Sequence, residues 1–455
     1  PVMVARSRNL ARNDDYFKQF LRLCANNVVG PAGIRMQAKV RKASGKPDTV
    51  VNQAIEESWQ EWCQRENCSV TEGHNWRGIQ KLALRTMMVD GECFVREIYD
   101  DSDYGYRLQF IPTDWLDITF NDDTPGKNRI IMSVEINIYG KPVAYYLTPP
   151  RNDFFAGVPD SFSPSNVKRN DRMRVPADEI HHLFFRSEEN QVRGIPWAVS
   201  SMVRLRMLGA YEDAAVVNQR ISASKMGFLQ SDIEEDPADT DTDPDALNTD
   251  LMDEVQPGMI KTLAPGQSFV EFNPNDPKIG FTEFVKGVLR GAWSGLGISY
   301  NTGASDAESV TFGTLRQMVL NDRDFYRDLQ VTMAEQLCHP VYKKWAVLMA
   351  GTSQLPVAFS KIKKFNAIVW RGRGWQWVDP LKDAQAAEIE LNLGITTRTQ
   401  LAEERGIDFE ETIEQLAIEQ ELADEKEVNI YGSKLAINPN DDTEPANGSA
   451  TKTSS

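Results

Sequence analysis

Lys286 and Arg290 stand four residues apart in a stretch of helical periodicity, 278–296, and therefore share one face of it. Phe281, Phe284, Val288 and Leu289 supply apolar surface on the rest of that helix. Ordinary solvation of a basic stripe accounts for the pair. Carried by many copies around a lumen, the same two side chains would become stacked rings of positive charge. A soft segment follows directly. The stretch GLGISYNTGASDAESVTFGTLRQMV, residues 295–319, reads as a helix ending in glycines, a small polar loop and a longer helix.

Chemistry of other kinds finds little support. ASGKPD and YGKPV contain Gly-Lys, but no G-x-x-x-x-G-K-[ST] loop is present, so the chain is not expected to hydrolyse ATP. Neither H-E-x-x-H nor Cys-x-x-Cys occurs. His181 and His182 are adjacent, and a strand would turn them to opposite faces, as a structural pair rather than a ligand set. His339 precedes Pro340 and reads as part of a helix bend, while GHNW at 73–76 has no nucleophile–base pattern beside it. Carboxylates are abundant, which leaves a metal-dependent hydrolase or nuclease as the alternative from another class. No catalytic residue, cofactor or metal ligand is expected.

Length and charge set the frame. With 455 residues the chain exceeds one hydrophobic core, so two to four subdomains are expected. No apolar run reaches the roughly eighteen residues of a membrane span, and the first fifteen residues lack an apolar signal region. The chain opens on Pro1 rather than Met, which implies residues trimmed or not counted before it. Cys24, Cys63, Cys68, Cys93 and Cys338 are irregularly spaced and read as reduced thiols in an intracellular compartment. The net charge of −16 is uneven: residues 1–46 hold ten Lys and Arg against Asp14 and Asp15, whereas 231–250 hold nine Asp and Glu and no Lys or Arg. That balance argues against gripping nucleic acid by counterion release, though not against letting it pass.

The elements that must position Lys286, Arg290 and the polar loop follow from periodicity. Helices are predicted over 6–29, 50–65 and 75–89, then a strand in GECFVREIYD (91–100) and a β-rich region with a hairpin at Gly140–Lys141. A first long helix is expected over 194–229, with Pro196 in its first turn and Gly227 near its end. Residues 231–250 have the composition of a mobile loop, and 257–274 return to short strands around a turn at Pro265–Gly266. After 278–296 and the loop, a second long helix runs over about 309–349 and bends at Pro340. A strand in 362–372 precedes C-terminal helices punctuated by Pro380, Gly394, Thr396 or Thr397, Gly406, and Asp408 with Glu411. No internal repeat is found, and the class is mixed α+β.

Five segments, in this order and spacing, carry a resemblance. They are ARSRNLARNDDYFKQFLRLCANNVVGPAGIRMQ, LALRTMMVDGECFVREIY, IHHLFFRSEENQVRGIPWAVSSM, GVLRGAWSGLGISYNTGASDAESVTFGTLR and VDPLKDAQAAEIELNLGITTRTQLAEERGIDFEE. Together they resemble the portal proteins of tailed bacteriophages, in the lambda-like family, over some 400 residues. The resemblance implies a portal fold of wing, stem, clip and crown, assembled as a ring of twelve subunits around a channel. On that plan the wing is 1–193, the wing-to-stem helix 194–229, the clip 230–277 and the second stem helix 278–297. The tunnel loop is then 298–310, the long kinked helix and wing closure 311–378, the crown 379–433 and a polar tail 434–455.

The tunnel-loop residues so implied are Asn301, Thr302, Gly303, Ala304, Ser305, Asp306 and Glu308, with Lys286 and Arg290 facing the channel from the stem. Gly303, Ala304 and Ser305 would permit close approach and rearrangement, Gly295 and Gly297 would end or re-angle the preceding helix, and Asp306 and Glu308 would bring acidic groups to the lumen. Implied partners are double-stranded DNA in transit, the major capsid protein, the terminase large subunit and a head–tail connector or adaptor, with no membrane. The implied site is the portal vertex of the virion, after assembly in the host cytoplasm. Another ring-forming head–tail adaptor is the runner-up, disfavoured by the length of the chain.

Overall fold

The computed structural model describes residues 1–148, 172–223, 227–231, 267–271, 280–308, 310–352, 365–376 and 378–426. It divides into two compact units, Pro1–Arg373 and Gly374–Ser455. The class is mixed helix and sheet, as expected.

The first unit opens with α1 (Val2–Asn13) and α2 (Asp15–Cys24), the latter continued by a π-helical turn over Ala25–Val29. One helix was expected over 6–29. It is interrupted because Asp14 adopts an extended conformation and its carboxylate accepts the Phe17 N–H at 2.6 Å, starting a second helix. Next come β1 (Arg35–Ala38), α3 (Thr49–Trp62), the single turn α4 (Arg65–Cys68) and α5 (Trp76–Asp90). Asn75 caps α5 through the Gly78 N–H, and Gly91, at φ 91°, ends it.

Two antiparallel sheets follow. β2 (Glu92–Ile98) lies between β3 (Arg107–Ile111) and β8 (Ile180–Phe184). β4 (Arg129–Ile131), β5 (Val134–Ile136), β6 (Pro142–Leu147) and β7 (Met173–Pro176) form the second sheet in that order. The β5–β6 connection holds Gly140 at φ 76°, which is the hairpin expected at 140–141. Phe94, Ile111 and Ile180 of the first sheet and Val134, Tyr145, Leu147 and Val175 of the second bury one shared core.

The predicted first long helix begins later than 194. Gly194 crosses Gly91 so closely that a Cβ on it would stand 2.0 Å from the Gly91 carbonyl oxygen, and Trp197–Ser200 form a 3₁₀ turn. α6 then runs Met202–Ala223. Gly227 opens a strand instead of closing the helix: β9 (Gly227–Ser231) pairs antiparallel with β10 (Gln267–Glu271). The acidic segment 232–250 and the Pro265–Gly266 turn lie outside the described residues.

α7 spans Phe281–Leu296 and α8 is the short turn Tyr300–Ala304. The long helix is α9 (Phe312–Met333), a π turn over Ala334–Cys338, and α10 (His339–Gly351). Pro340 has no N–H to give the Gln336 carbonyl. The turn before it widens, and the His339 N–H reaches Ala334 O instead. β11 (Ile368–Arg371) pairs antiparallel with β1, Met36 opposite Trp370.

Side-chain amides complete strand and loop backbone where no strand does. Gln80 Oε1 accepts the Ile34 N–H at 2.8 Å and its Nε2 donates to Ile34 O at 2.9 Å. Gln336 does the same for Phe184, at 3.0 and 3.1 Å, tying β8 to the long helix. An aromatic hub centres on buried Trp59, whose ring lies 4.8 Å from Trp62, 5.0 Å from Trp345, 5.5 Å from Tyr342 and 5.6 Å from Trp76.

The second unit has three described helices: α11 (Pro380–Asn392), α12 (Arg398–Glu404) and α13 (Phe409–Glu425). Thr397 and Gln400 form a reciprocal capping box, and Gly394 and Gly406 both sit at φ 71°. Asp408 caps α13 through the Glu410 N–H at 2.8 Å. The expected tail, 434–455, lies outside the described residues.

Candidate functional site

α6 and α7 form an antiparallel pair. Three donors from the turn before α6 hold the carbonyls of the last turn of α7: Trp197 Nε1 to Leu296 O at 2.8 Å, Ser200 Oγ to Gly295 O at 3.0 Å and Ser201 Oγ to Ala292 O at 2.8 Å. The Gly295 and Leu296 carbonyls are among the last four of the helix and have no partner within it, which is why hydroxyl and indole donors suit the position. Toward the other end Tyr211 packs on Phe281 and Phe284, with ring centroids 5.5 and 4.8 Å away.

The polar loop after α7 has a rigid root. Gly297 ends the helix at φ 90°, and the N–H groups of Gly297 and Ile298 both donate to Trp293 O. Ser299 gives its N–H and its Oγ to the two carboxylate oxygens of buried Asp322, at 2.9 and 2.7 Å, and Ser299 Oγ also lies 2.9 Å from Thr302 Oγ1. Gly303 is buried, and a Cβ there would stand 2.4 Å from the Trp293 ring. A soft loop was expected over 298–310. Instead residues 300–304 are helical, and Gly303 serves close packing on Trp293. Changing Gly303→Ala therefore should cost about 1–3 kcal/mol in chemical denaturation, as overpacking does. In an unconstrained loop the same change would be neutral or stabilising.

Beyond the root the chain turns at Ser305, at φ 54°, and the predicted polar residues converge. Asp306 Oδ2 accepts from Tyr300 OH at 2.8 Å, Asp306 Oδ1 accepts the Glu308 N–H at 2.9 Å, and Asn301 Nδ2 donates to Asp306 O at 2.8 Å. Lys286 Nζ reaches down from α7 to Glu308 Oε2 at 2.7 Å and Asp306 Oδ2 at 3.3 Å. Arg290, one turn on, sets its guanidinium 5.6 Å from the Tyr300 ring centroid. Glu308, then Asp306, hold the Lys286 ammonium above its usual pKa, and the Glu308 N–H and Tyr300 hydroxyl hold Asp306 below its own.

Lys286, Arg290, Asn301, Asp306 and Glu308 thus belong to one cluster, while Thr302, Gly303 and Ala304 lie on the helical turn behind it. Tyr300, Trp293 and Asp322 were missed. Tyr300 adjoins the loop and could have been marked by that; nothing local in the sequence marks Asp322.

The two adjacent histidines face opposite ways, as a strand requires. His182 Nε2 lies 3.0 Å from Glu92 Oε2, and His181 Nε2 lies 2.8 Å from Glu97 Oε1. Arg193 grips Glu92 through Nε at 2.8 Å and Nη2 at 2.6 Å. Burial pushes Glu92 up, but His182 and Arg193 outweigh it and hold the carboxyl at about 2. Burial keeps the His182 ring neutral, below its usual 6.5. As pH falls through 6.5 the unfolded chain takes up a proton that folded His182 refuses, so stability falls; Glu92's contribution goes next, from 4.5 toward 2. The melting temperature should therefore drop on acidification below pH 6.5, and more shallowly in H182Q. A rise between pH 7 and 5 would contradict this assignment. Among the described residues no group of three or more His, Cys, Asp and Glu is placed to hold a metal ion, and no helix is long and apolar enough to cross a membrane. All five cysteines are free thiols.

Against known proteins, the family described as "Phage portal protein, lambda family" matches residues 1–330. The chain belongs to this family. The portal resemblance read from the five segments is therefore correct. This portal protein is 30% identical over 448 residues to the probable portal protein of Halomonas phage phiHAP-1, covering 97% of this chain and 84% of that one. It is 21% identical over 456 residues to portal protein B of Escherichia phage lambda, covering 90% and 82%. Among solved structures it is similar to a chain of the virion of a native gene transfer agent particle, with TM-score 0.47, 11% identity, and coverage of 90% and 94%.

Proposed function

We propose that this portal protein assembles as a ring of twelve at one capsid vertex and forms the channel through which double-stranded DNA is packaged and ejected. Family membership over residues 1–330 carries the reading. The α6 surface supports it. Leu205, Leu208 and Tyr211 share the face turned to α7, whereas Val203, Met207, Ala210, Ala214 and Val217, at steps of three and four, are exposed on another. Such a stripe calls for cover, and a neighbour offering a different surface of the same chain generates a ring where the rotation between copies closes.

On this reading α6 and α7 are the stem, 230–277 the clip, 1–193 the wing, 311–378 the long helix with wing closure, and 379–433 the crown. The cluster of Lys286, Arg290, Asn301, Asp306 and Glu308, with Thr302 to Ser305 behind it, faces the channel. The role is structural, not enzymatic. The clip docks the terminase large subunit during packaging and the head–tail connector or adaptor afterwards, and the wing meets the major capsid protein, so the mature location is the virion. Electron microscopy of the purified full chain, with mass photometry, tests the proposal. Closed rings of twelve with a hole wide enough for a duplex are expected; a persistent monomer or dimer at every concentration and in the presence of scaffold would defeat it.

A further inference from the structure

Two cations, Lys286 and Arg290, and two carboxylates, Asp306 and Glu308, leave the α7–loop cluster without net charge; both carboxylates are on Lys286, whereas Arg290 stands by the Tyr300 ring. The carboxylates occupy the Lys286 ammonium as phosphate oxygens would, with the same charge and at hydrogen-bonding distance. The two partners are held unequally. Asp306 is also bonded to Tyr300 and to the Glu308 N–H, while the Glu308 side chain is 72% exposed and, among the described residues, reaches only Lys286. Exposed ion pairs of this kind are weak and exchange readily. Behind them the root does not yield, since Ser299 is bonded to buried Asp322 and Gly303 is packed on Trp293.

We propose that Lys286 is a phosphate-binding site occupied, in the absence of DNA, by the protein's own Glu308 and Asp306, and that duplex phosphates exchange with Glu308 on this ammonium. The inference rests on the reading that this face lines the channel. Lys286 is then never unpaired: a phosphate arriving releases Glu308, and a phosphate leaving is replaced by it. The carboxylate that steps aside stays within reach and competes for the cation, so no phosphate is held tightly and the duplex keeps moving. The competition is local to residues 286 and 305–308, while the helical turn 300–304 stays put.

The test is binding of a short blunt DNA duplex to the assembled full chain at several salt concentrations, for wild type, E308Q, K286M and the double variant. Both changes are on side chains that reach solvent, and ring assembly is checked by microscopy. E308Q is expected to tighten binding about two- to five-fold, because a weak exposed competitor has been removed. K286M is expected to weaken it and to flatten the salt dependence. In K286M, adding E308Q is expected to change nothing beyond the general loss of one negative charge. Hydrogen exchange at 305–308 is expected to quicken when the duplex is added to wild type, with 300–304 unchanged.

If K286M weakens binding but E308Q has the same effect with and without Lys286, the exchange is overturned and the channel reading stands. If K286M and R290M together leave binding unchanged, and photo-crosslinking to the duplex gives no adduct within 281–308, the channel reading fails and takes the exchange with it.

Discussion

Arg193→Met is expected to destabilise the Pro1–Arg373 unit by about 3–5 kcal/mol, read from chemical denaturation, because it strands a buried carboxylate. Glu92 is 4% exposed and accepts from Arg193, His182 and the Gly194 N–H. Arg193 also gives Nη1 to Met132 O at 2.8 Å, where Met132 and Ser133 take left-handed conformations at φ 48° and 68°. One guanidinium therefore fixes the start of β2, the β4–β5 turn and the approach to α6. With Arg193 gone, desolvation is offset only by His182 and the Gly194 N–H, and the Glu92 pKa rises from about 2. The double variant E92M/R193M should recover much of the loss, since no charge is left unpaired. A loss below about 1 kcal/mol in R193M would mean that water reaches Glu92 and that the pair is not structurally required.

Trp59→Ala should cost a similar amount, about 3–5 kcal/mol, by removing the ring on which the aromatic hub converges. Trp59 comes from α3, Trp76 from α5, Tyr342 and Trp345 from α10, and Trp370, 6.0 Å away, from β11. No other side chain touches all four elements in this way within the described hub, so a cavity there loosens each from the rest. Trp59→Phe keeps a smaller ring and should lose roughly half as much. If alanine costs no more than phenylalanine, the hub has collapsed to fill the space, and its contribution is that of area alone.

What could be read from sequence was local. The helix at 75–89 and the strand at 91–100 appear with nearly the predicted bounds, because Asn75, Gly91 and the alternation after Glu92 mark them in place. Gly394, Gly406 and a cap at Thr396 or Thr397 were legible for the same reason, and the structure places that cap at Thr397 with Gln400. The break at Asp14 was not, since an Asp inside an apolar periodicity signals a cap only if the backbone leaves the helix there. The start of α6 was misplaced because what stops an earlier start is the crossing of Gly194 over Gly91, a contact between distant segments. α6 also carries apolar residues on two faces, so its periodicity points nowhere in particular. In the candidate site, the spacing of Lys286 and Arg290 and the two loop carboxylates were visible, but their pairing was not. The helical root under the loop depends on Asp322 and Trp293, which act through tertiary contact.

The pairing of β1 with β11 has a bearing on how the chain is made. Gln37 and Arg371, bonded side chain to side chain, are 334 residues apart. At about 5–20 residues per second, translation takes some tens of seconds to deliver β11 after β1 has left the ribosome. During that time β1 offers an open edge, with Gln80 and Asn52 amides on the backbone beside it at Ile34 and Val40 and the Glu56 carboxylate on the Ala38 N–H alone. The N-terminal part of the chain therefore cannot finish folding as it emerges, and waits for β11.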